Sequence, residues 1–185
     1  NNIIVAEGLS KSYGKHLVLD DISFTLPRGE VIGLFGPNGC GKSTFMKILT
    51  GLIHDYKGSV TINGEKPGVL TKAVTAYLPE QTFVHDWMRN IDAVNYFNDF
   101  FDDFNKEKAL DMIKRFGLDP KQKAKTMSKG MQEKLLLSLT MSREAELYIL
   151  DEPMGGVDPA TRSQILDFIM KNYAGTSTLL ISTHL

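Results

Sequence analysis

An α/β fold with a parallel sheet is what this 185-residue chain predicts, and three observations predict it. The apolar run Val31-Ile32-Gly33-Leu34-Phe35 leads through a glycine-rich turn into the helix-like Phe45-Met46-Lys47-Ile48-Leu49. A second apolar run, Leu147-Tyr148-Ile149-Leu150, is short and does not alternate, the pattern of a strand buried on both faces of a parallel sheet. Helical periods lie between such runs up to the last one, Thr178 to Thr183.

Taken in order, three strands open the chain. Ile3 to Glu7 is followed by Leu17 to Leu26, alternating at Ile22, Phe24 and Leu26, and by Glu30 to Phe35 after the turn Pro27-Arg28-Gly29. Gly51 should end the first helix, since glycine is the residue best able to leave a helix through positive φ. Gly58 to Gly64 reads as a short strand closed by Asn-Gly, and Val74 to Leu78 as another. Beyond Pro79 the period changes: Phe97, Phe100, Phe101 and Phe104 recur at helical spacing, and Leu110, Ile113 and Phe116 carry it on to Gly117. Seven aromatic residues (Phe83, Trp87, Tyr96, Phe97, Phe100, Phe101, Phe104) crowd this insertion, either as its own core or as a docking surface. A helix from Lys129 to about Arg143, capped by Ser128, and another around Thr161 to Tyr173 complete the pattern, without repeats or low-complexity linkers.

Composition bounds the function. With 42% hydrophobic residues the chain is globular and long enough to bury a core. Its apolar runs fall far short of the roughly 20 residues that span a bilayer, and no signal-like amino terminus is visible, so a membrane connection is expected through a partner. A net charge of −1, from 21 basic and 22 acidic residues, lacks the basic excess that binds a phosphate backbone, so nucleic acid is not favoured. The single cysteine, Cys40, excludes an internal disulfide and fits a reducing compartment.

The turn itself, Gly36-Pro37-Asn38-Gly39-Cys40-Gly41-Lys42-Ser43-Thr44, fits G-x-x-x-x-G-K-[ST]. Glycines let successive N–H groups face one point, and the helix starting near Lys42 adds the positive end of its dipole, which together suit a polyphosphate. Lys42 is expected to reach the β and γ phosphates and Ser43 to hold Mg²⁺, with Thr44 and the N–H groups of Gly39, Cys40 and Gly41 completing the cradle. Asp151 and Glu152 follow the apolar run at Leu150, which sets two carboxylates at the carboxyl end of a buried strand, where ligands bind in open α/β sheets. Asp151 suits the Mg²⁺ shell, and Glu152 suits the general base for an attacking water.

With the phosphate loop, the run ending in Asp151-Glu152-Pro153 and a serine-containing motif between them, nearly the whole chain resembles the nucleotide-binding subunit of an ATP-binding cassette transporter. The resemblance implies a P-loop NTPase with a RecA-like α/β core, an N-terminal antiparallel β subdomain and an inserted helical subdomain. On that reading residues 1–80 and 129–185 form the core with its β subdomain, and 81–128 the helical subdomain. It implies that ATP and Mg²⁺ are bound, that Tyr13 stacks on adenine, and that His184 is the switch histidine near the γ-phosphate. Ser128 and Gly130, in Met127-Ser128-Lys129-Gly130-Met131, correspond to the motif that caps the γ-phosphate of a second subunit, with Lys129 and Met131 as departures. Val157-Asp158 matches the loop that crosses to that subunit, although Asp158-Pro159 also reads as a helix start. The metal-sensing glutamine falls in register on Glu80, with Gln81 one place later, and either could reach a Mg²⁺ water.

The implied unit is a head-to-tail dimer, with itself or a related cassette, joined to a transmembrane permease through the helical subdomain on the inner face of the membrane. The Ser-Lys-Gly-Met form is similar to that of cassettes serving multidrug-type exporters of drugs, peptides or polymers. A soluble cassette ATPase acting on ribosomes or DNA is the alternative, and a binding regulator without hydrolysis a third. The family continues beyond the switch histidine, so the last strand, Thr178 to Thr183, is expected to lack cover.

Overall fold

The computed structural model describes residues 1–37, 39–80, 84–173 and 175–184, which form two compact units. The first comprises Asn1–Tyr77, Glu146–Glu152 and Ala174–Leu185, the second Leu78–Ala145 and Pro153–Tyr173.

Two sheets build the first unit. In the antiparallel one, β1 (Asn2–Tyr13) lies between β2 (His16–Pro27) and the later strand Lys57–Ile62, with Val5 opposite both Thr25 and Thr61. β1 runs well past its predicted segment, because the tight turn at Gly14-Lys15 lets pairing continue to Tyr13 and His16, whereas β2 keeps close to its predicted bounds. Gly58 is required here, since a Cβ would collide with the carbonyl oxygen of Gly8 on the neighbouring strand. The other sheet is formed by β3 (Val31–Phe35), β5 (Thr75–Leu78), β6 (Leu147–Asp151) and β7 (Thr178–Thr183), the antiparallel strand Lys57–Ile62 being β4. Its order is β3-β7-β6-β5, and β7 pairs in parallel with β3 on one side and β6 on the other.

Every residue of β6 and β7 is buried. The expectation of a wet final strand is therefore corrected: β7 sits inside the sheet, and β3 is an edge strand, with Phe35 72% exposed. Helix α1 (Lys42–Leu49) buries Phe45, Met46, Ile48 and Leu49 in one cluster with Ile4, Leu9, Ile62, Ile149 and Leu180, so strands of both sheets close over its apolar face. Gly51 leaves that helix at φ 77, as its position predicts. The one-turn helix α2 (Val69–Lys72), which carries no helical period, is held by Thr71 Oγ1 accepting from Gly68 N.

The second unit is helical: α3 (Asn90–Phe100), α4 (Lys106–Arg115), a 3₁₀ turn at Ala124–Thr126, α5 (Lys129–Met141) and α6 (Pro159–Asn172). The helical period from Phe97 to Phe116 is broken into two helices. Phe101 is extended, Asn105 caps α4 by accepting from Lys108 N at 3.0 Å, and Asn105 N donates to Ser142 O. Arg143 grips Asp103 in the break through two bonds of 2.9 and 3.0 Å and lies 4.1 Å from the centre of the Phe101 ring. The aromatics divide accordingly. Phe104 is in the core, with Phe97 and Phe101 packed against it, whereas Trp87, Tyr96 and Phe100 are exposed.

Candidate nucleotide site

The loop between β3 and α1 is folded tightly on itself. Gly41 takes φ 99 at the helix start, and a Cβ there would lie 2.9 Å from Leu19 Cδ2 and 3.0 Å from Val18 O, so only glycine passes β2 so closely. Cys40 N donates to Pro37 O at 3.3 Å, and Gly36 N to Thr183 O at 3.3 Å, which ties the loop to the end of β7. Lys42 is 8% exposed, and its ammonium donates to the carbonyls of Gly36 and of Pro37, the latter at 3.1 Å. Ser43 and Thr44 follow on the first turn of α1. Tyr13, half exposed at the end of β1, brings its hydroxyl to 3.5 Å from Thr44 Oγ1, and Lys11 Nζ lies 5.1 Å from the centre of its ring. Asn38 and Gln81 lie outside the described residues, as does Phe83.

Asp151 and Glu152 are both buried at the end of β6. Glu152 Oε1 is 3.9 Å from Lys42 Nζ and has no hydrogen-bond partner among the described residues, while Oε2 is 2.9 Å from His184 Nδ1. The backbone of Glu152 is left-handed, at φ 48, which an L-residue adopts only when its surroundings hold it. The structure thus brings Lys42 at the start of α1, the Asp151-Glu152 pair at the end of β6 and His184 after β7 to one place, from three separate parts of the chain. It adds Ser182, which sequence reasoning passed over. Ser182 Oγ is 2.6 Å from Asp151 Oδ1 and accepts from Glu152 N at 2.9 Å. The available signal was a hydroxyl in the otherwise apolar run Leu179-Leu180-Ile181-Ser182.

A second group of predicted residues lies in the helical unit. Ser128 is the N-cap of α5, accepting from Met131 N at 3.1 Å, and a Cβ on Gly130 would come within 3.4 Å of Thr161 Cγ2. The Lys129 side chain runs over Gly156, which at φ 75 leaves it room. One turn further along α5, burial pushes the Glu133 carboxyl up to about 7, against the pull of the Lys129 ammonium. Asp158 does cap α6: it accepts from Thr161 N at 2.8 Å, and this bond holds its carboxyl below the usual range. Glu80 is exposed and belongs to this unit. Among the described residues no three His, Cys, Asp or Glu side chains cluster as a metal centre, so a metal here would need oxygens from elsewhere.

Comparison with known proteins accounts for this arrangement. The family model described as "ABC transporter" matches residues 19–155. The linearmycin resistance ATP-binding protein LnrL of Bacillus subtilis is 29% identical over 98% of this chain, which spans 61% of LnrL. The lantibiotic transport ATP-binding protein SrtF of Streptococcus pyogenes is 30% identical over 97% of this chain and 79% of SrtF. Among solved structures, a putative ABC transporter ATP-binding protein from Pyrococcus furiosus superposes with a TM-score of 0.87 at 27% identity, covering 98% of this chain and 91% of that one. A phosphate loop at a β3 edge, a carboxylate pair at the end of β6 and a histidine at the end of β7 are thus held in a shared fold: the chain belongs to the ABC transporter family, among its ATP-binding proteins.

Proposed function

We propose that this chain binds ATP with Mg²⁺ and hydrolyses it to power a membrane transporter. The observation that carries the reading is Glu152 Oε1, a buried carboxylate oxygen with no hydrogen-bond partner among the described residues, 3.9 Å from the phosphate-loop lysine. A buried acceptor left open in this way suits the proton of a water attacking the γ-phosphorus. Ser43 and Asp151 present a hydroxyl and a carboxylate, hard oxygens of the kind Mg²⁺ takes beside phosphate, so the donor set fits that ion. Bound there, Mg²⁺ would neutralise charge on the β and γ oxygens.

The chain's own residues supply the rest. Lys42 exchanges the Gly36 and Pro37 carbonyls for phosphate oxygens, and His184 holds the far oxygen of Glu152. Glu152 takes the proton of the water as the bond from the γ-phosphorus to the bridging oxygen breaks, giving ADP and inorganic phosphate. Tyr13, exposed beside the first turn of α1, suits a stacking platform for adenine.

On the same reading Ser128 and Gly130, at the start of α5, cap the triphosphate of a second cassette in a head-to-tail dimer, and Glu80 or Gln81 senses the metal water. Among the described residues no helix is long and apolar enough to cross a membrane. On this reading the work is passed to a permease, for which the exposed Trp87, Tyr96 and Phe100 offer a surface. On this reading the chain sits on the inner membrane face. The names linearmycin resistance and lantibiotic transport, borne by LnrL and SrtF, favour export. In the full-length protein, Glu152→Gln should keep ATP binding, lower turnover by about 100-fold or more, and accumulate an ATP-bound dimer on size exclusion. Wild-type turnover by that variant would remove Glu152 as the base.

A further inference from the structure

We propose that Ser182 is a positioning residue for hydrolysis, one hydroxyl that sets both the carboxylate of Asp151 and the backbone of Glu152. The inference rests on the ATPase reading above and deepens it.

Ser182 is fully buried on β7, in register with Asp151 on β6 and Leu34 on β3. Its Oγ is 2.6 Å from Asp151 Oδ1 and 2.9 Å from the amide nitrogen of Glu152. A main-chain N–H can only donate, so the hydroxyl accepts from Glu152, and its single proton is given to Asp151. The direction of both bonds is thereby settled by chemistry. One bond orients the carboxylate suited to the metal. The other holds the amide of Glu152, whose φ of 48 is a conformation that needs such a hold.

The neighbouring residues make the role specific. Thr183 O accepts from Gly36 N at 3.3 Å, and His184 Nδ1 meets Glu152 Oε2 at 2.9 Å. Three successive residues at the end of β7 therefore each hold a different part: Ser182 the Asp151 carboxylate and the Glu152 amide, Thr183 the start of the phosphate loop, His184 the side chain of the base. A serine that merely satisfied itself in an apolar strand would need only one of these partners, and a carbonyl of its own chain would serve. Here the hydroxyl spends both bonds on the two residues proposed to order the metal and activate the water.

The test uses Ser182→Ala and the rescue Ser182→Thr in the full-length protein. Ser182→Ala should lower kcat about 10- to 100-fold, the range seen when a partner of a ligand is removed, and raise the Mg²⁺ concentration for half-activation by about 10-fold. KM for ATP should stay within about 2-fold, because Lys42 and the loop are untouched. Mn²⁺ titrated into the ATP complex and followed by electron paramagnetic resonance should bind correspondingly more weakly. Ser182→Thr, which keeps the hydroxyl, should recover most of the loss. A Ser182→Ala protein with wild-type kcat and Mg²⁺ dependence overturns the proposal, as does a loss confined to thermal stability.

Should both variants fail to fold, amide hydrogen exchange on the nucleotide-free wild type still decides: slow exchange at Glu152 supports the bond, and exchange at the unprotected rate overturns it. Failure of the wild type to hydrolyse ATP would instead count against the ATPase reading, while the amide exchange continues to judge Ser182.

Discussion

Glu133 shows how a residue's surroundings change its chemistry without any motif. It lies on α5 at 8% exposure, and burial raises its carboxyl from the ordinary 4.5 to about 7, with the Lys129 ammonium opposing. Folded chain therefore holds a proton that unfolded chain has already lost between those two values. The stability from this group is full below the unfolded pKa and falls as pH rises through the folded one, by on the order of 3 kcal/mol. Glu133→Gln should remove that fall, so the change in melting temperature between pH 5 and pH 8 should be several degrees smaller than in the wild type. An identical pH profile for both proteins would show that Glu133 titrates normally. The sequence offered Glu133 only as one more polar residue on a helix. Its depth was legible nowhere, because burial depends on which helices pack against α5. Ser128 and Asp158 are the opposite case: an N-cap acts on an amide three residues away, so Ser before α5 and Asp-Pro before α6 were readable from local order alone.

At the scale of elements, the join between α3 and α4 is where the helical period misleads. Spacing cannot distinguish one long helix from two in line, since both keep apolar residues on one face. The cap of Asn105, the extended Phe101 and the Asp103–Arg143 pair settle it, and the last of these joins residues 40 positions apart. Asn105→Ala should cost about 1 kcal/mol, read as a drop in melting temperature of about 2–4 °C; an unchanged melting temperature would show that the cap is replaceable by water. The same helix α3 carries Tyr96 and Phe100, exposed and stacked at 6.0 Å between ring centres. Replacing both with Ser should leave stability within about 0.5 kcal/mol, as for exposed positions generally, and leave ATP turnover intact. Co-purification of the proposed transmembrane partner should drop sharply if these rings are its contact, and undiminished co-purification would locate that contact elsewhere.

For the molecule as a whole, ligand binding should be visible as stability. Nucleotide at about 100-fold over its dissociation constant adds about 2.7 kcal/mol, so Mg-ATP should raise the melting temperature of the Glu152→Gln protein by several degrees. Lys42→Ala in the same background should abolish that rise, because the loop would lose its ammonium; a rise of the same size would place the nucleotide elsewhere. The sequence by itself determined the phosphate loop, the helix that follows it, the buried strand β6 with its two carboxylates, and the caps of α5 and α6. Each is a property of neighbours along the chain, set by glycine conformation, apolar period or a hydrogen bond spanning a few residues. Only the tertiary structure decided that β7 lies between β3 and β6, that β3 is an edge strand, and that Ser182 meets Asp151 and Glu152. Those facts depend on pairing strands far apart in the chain, Asp151 with Ser182 and Leu34 with Ser182, and a parallel register is chosen by the packing of the entire sheet rather than by any short stretch of residues.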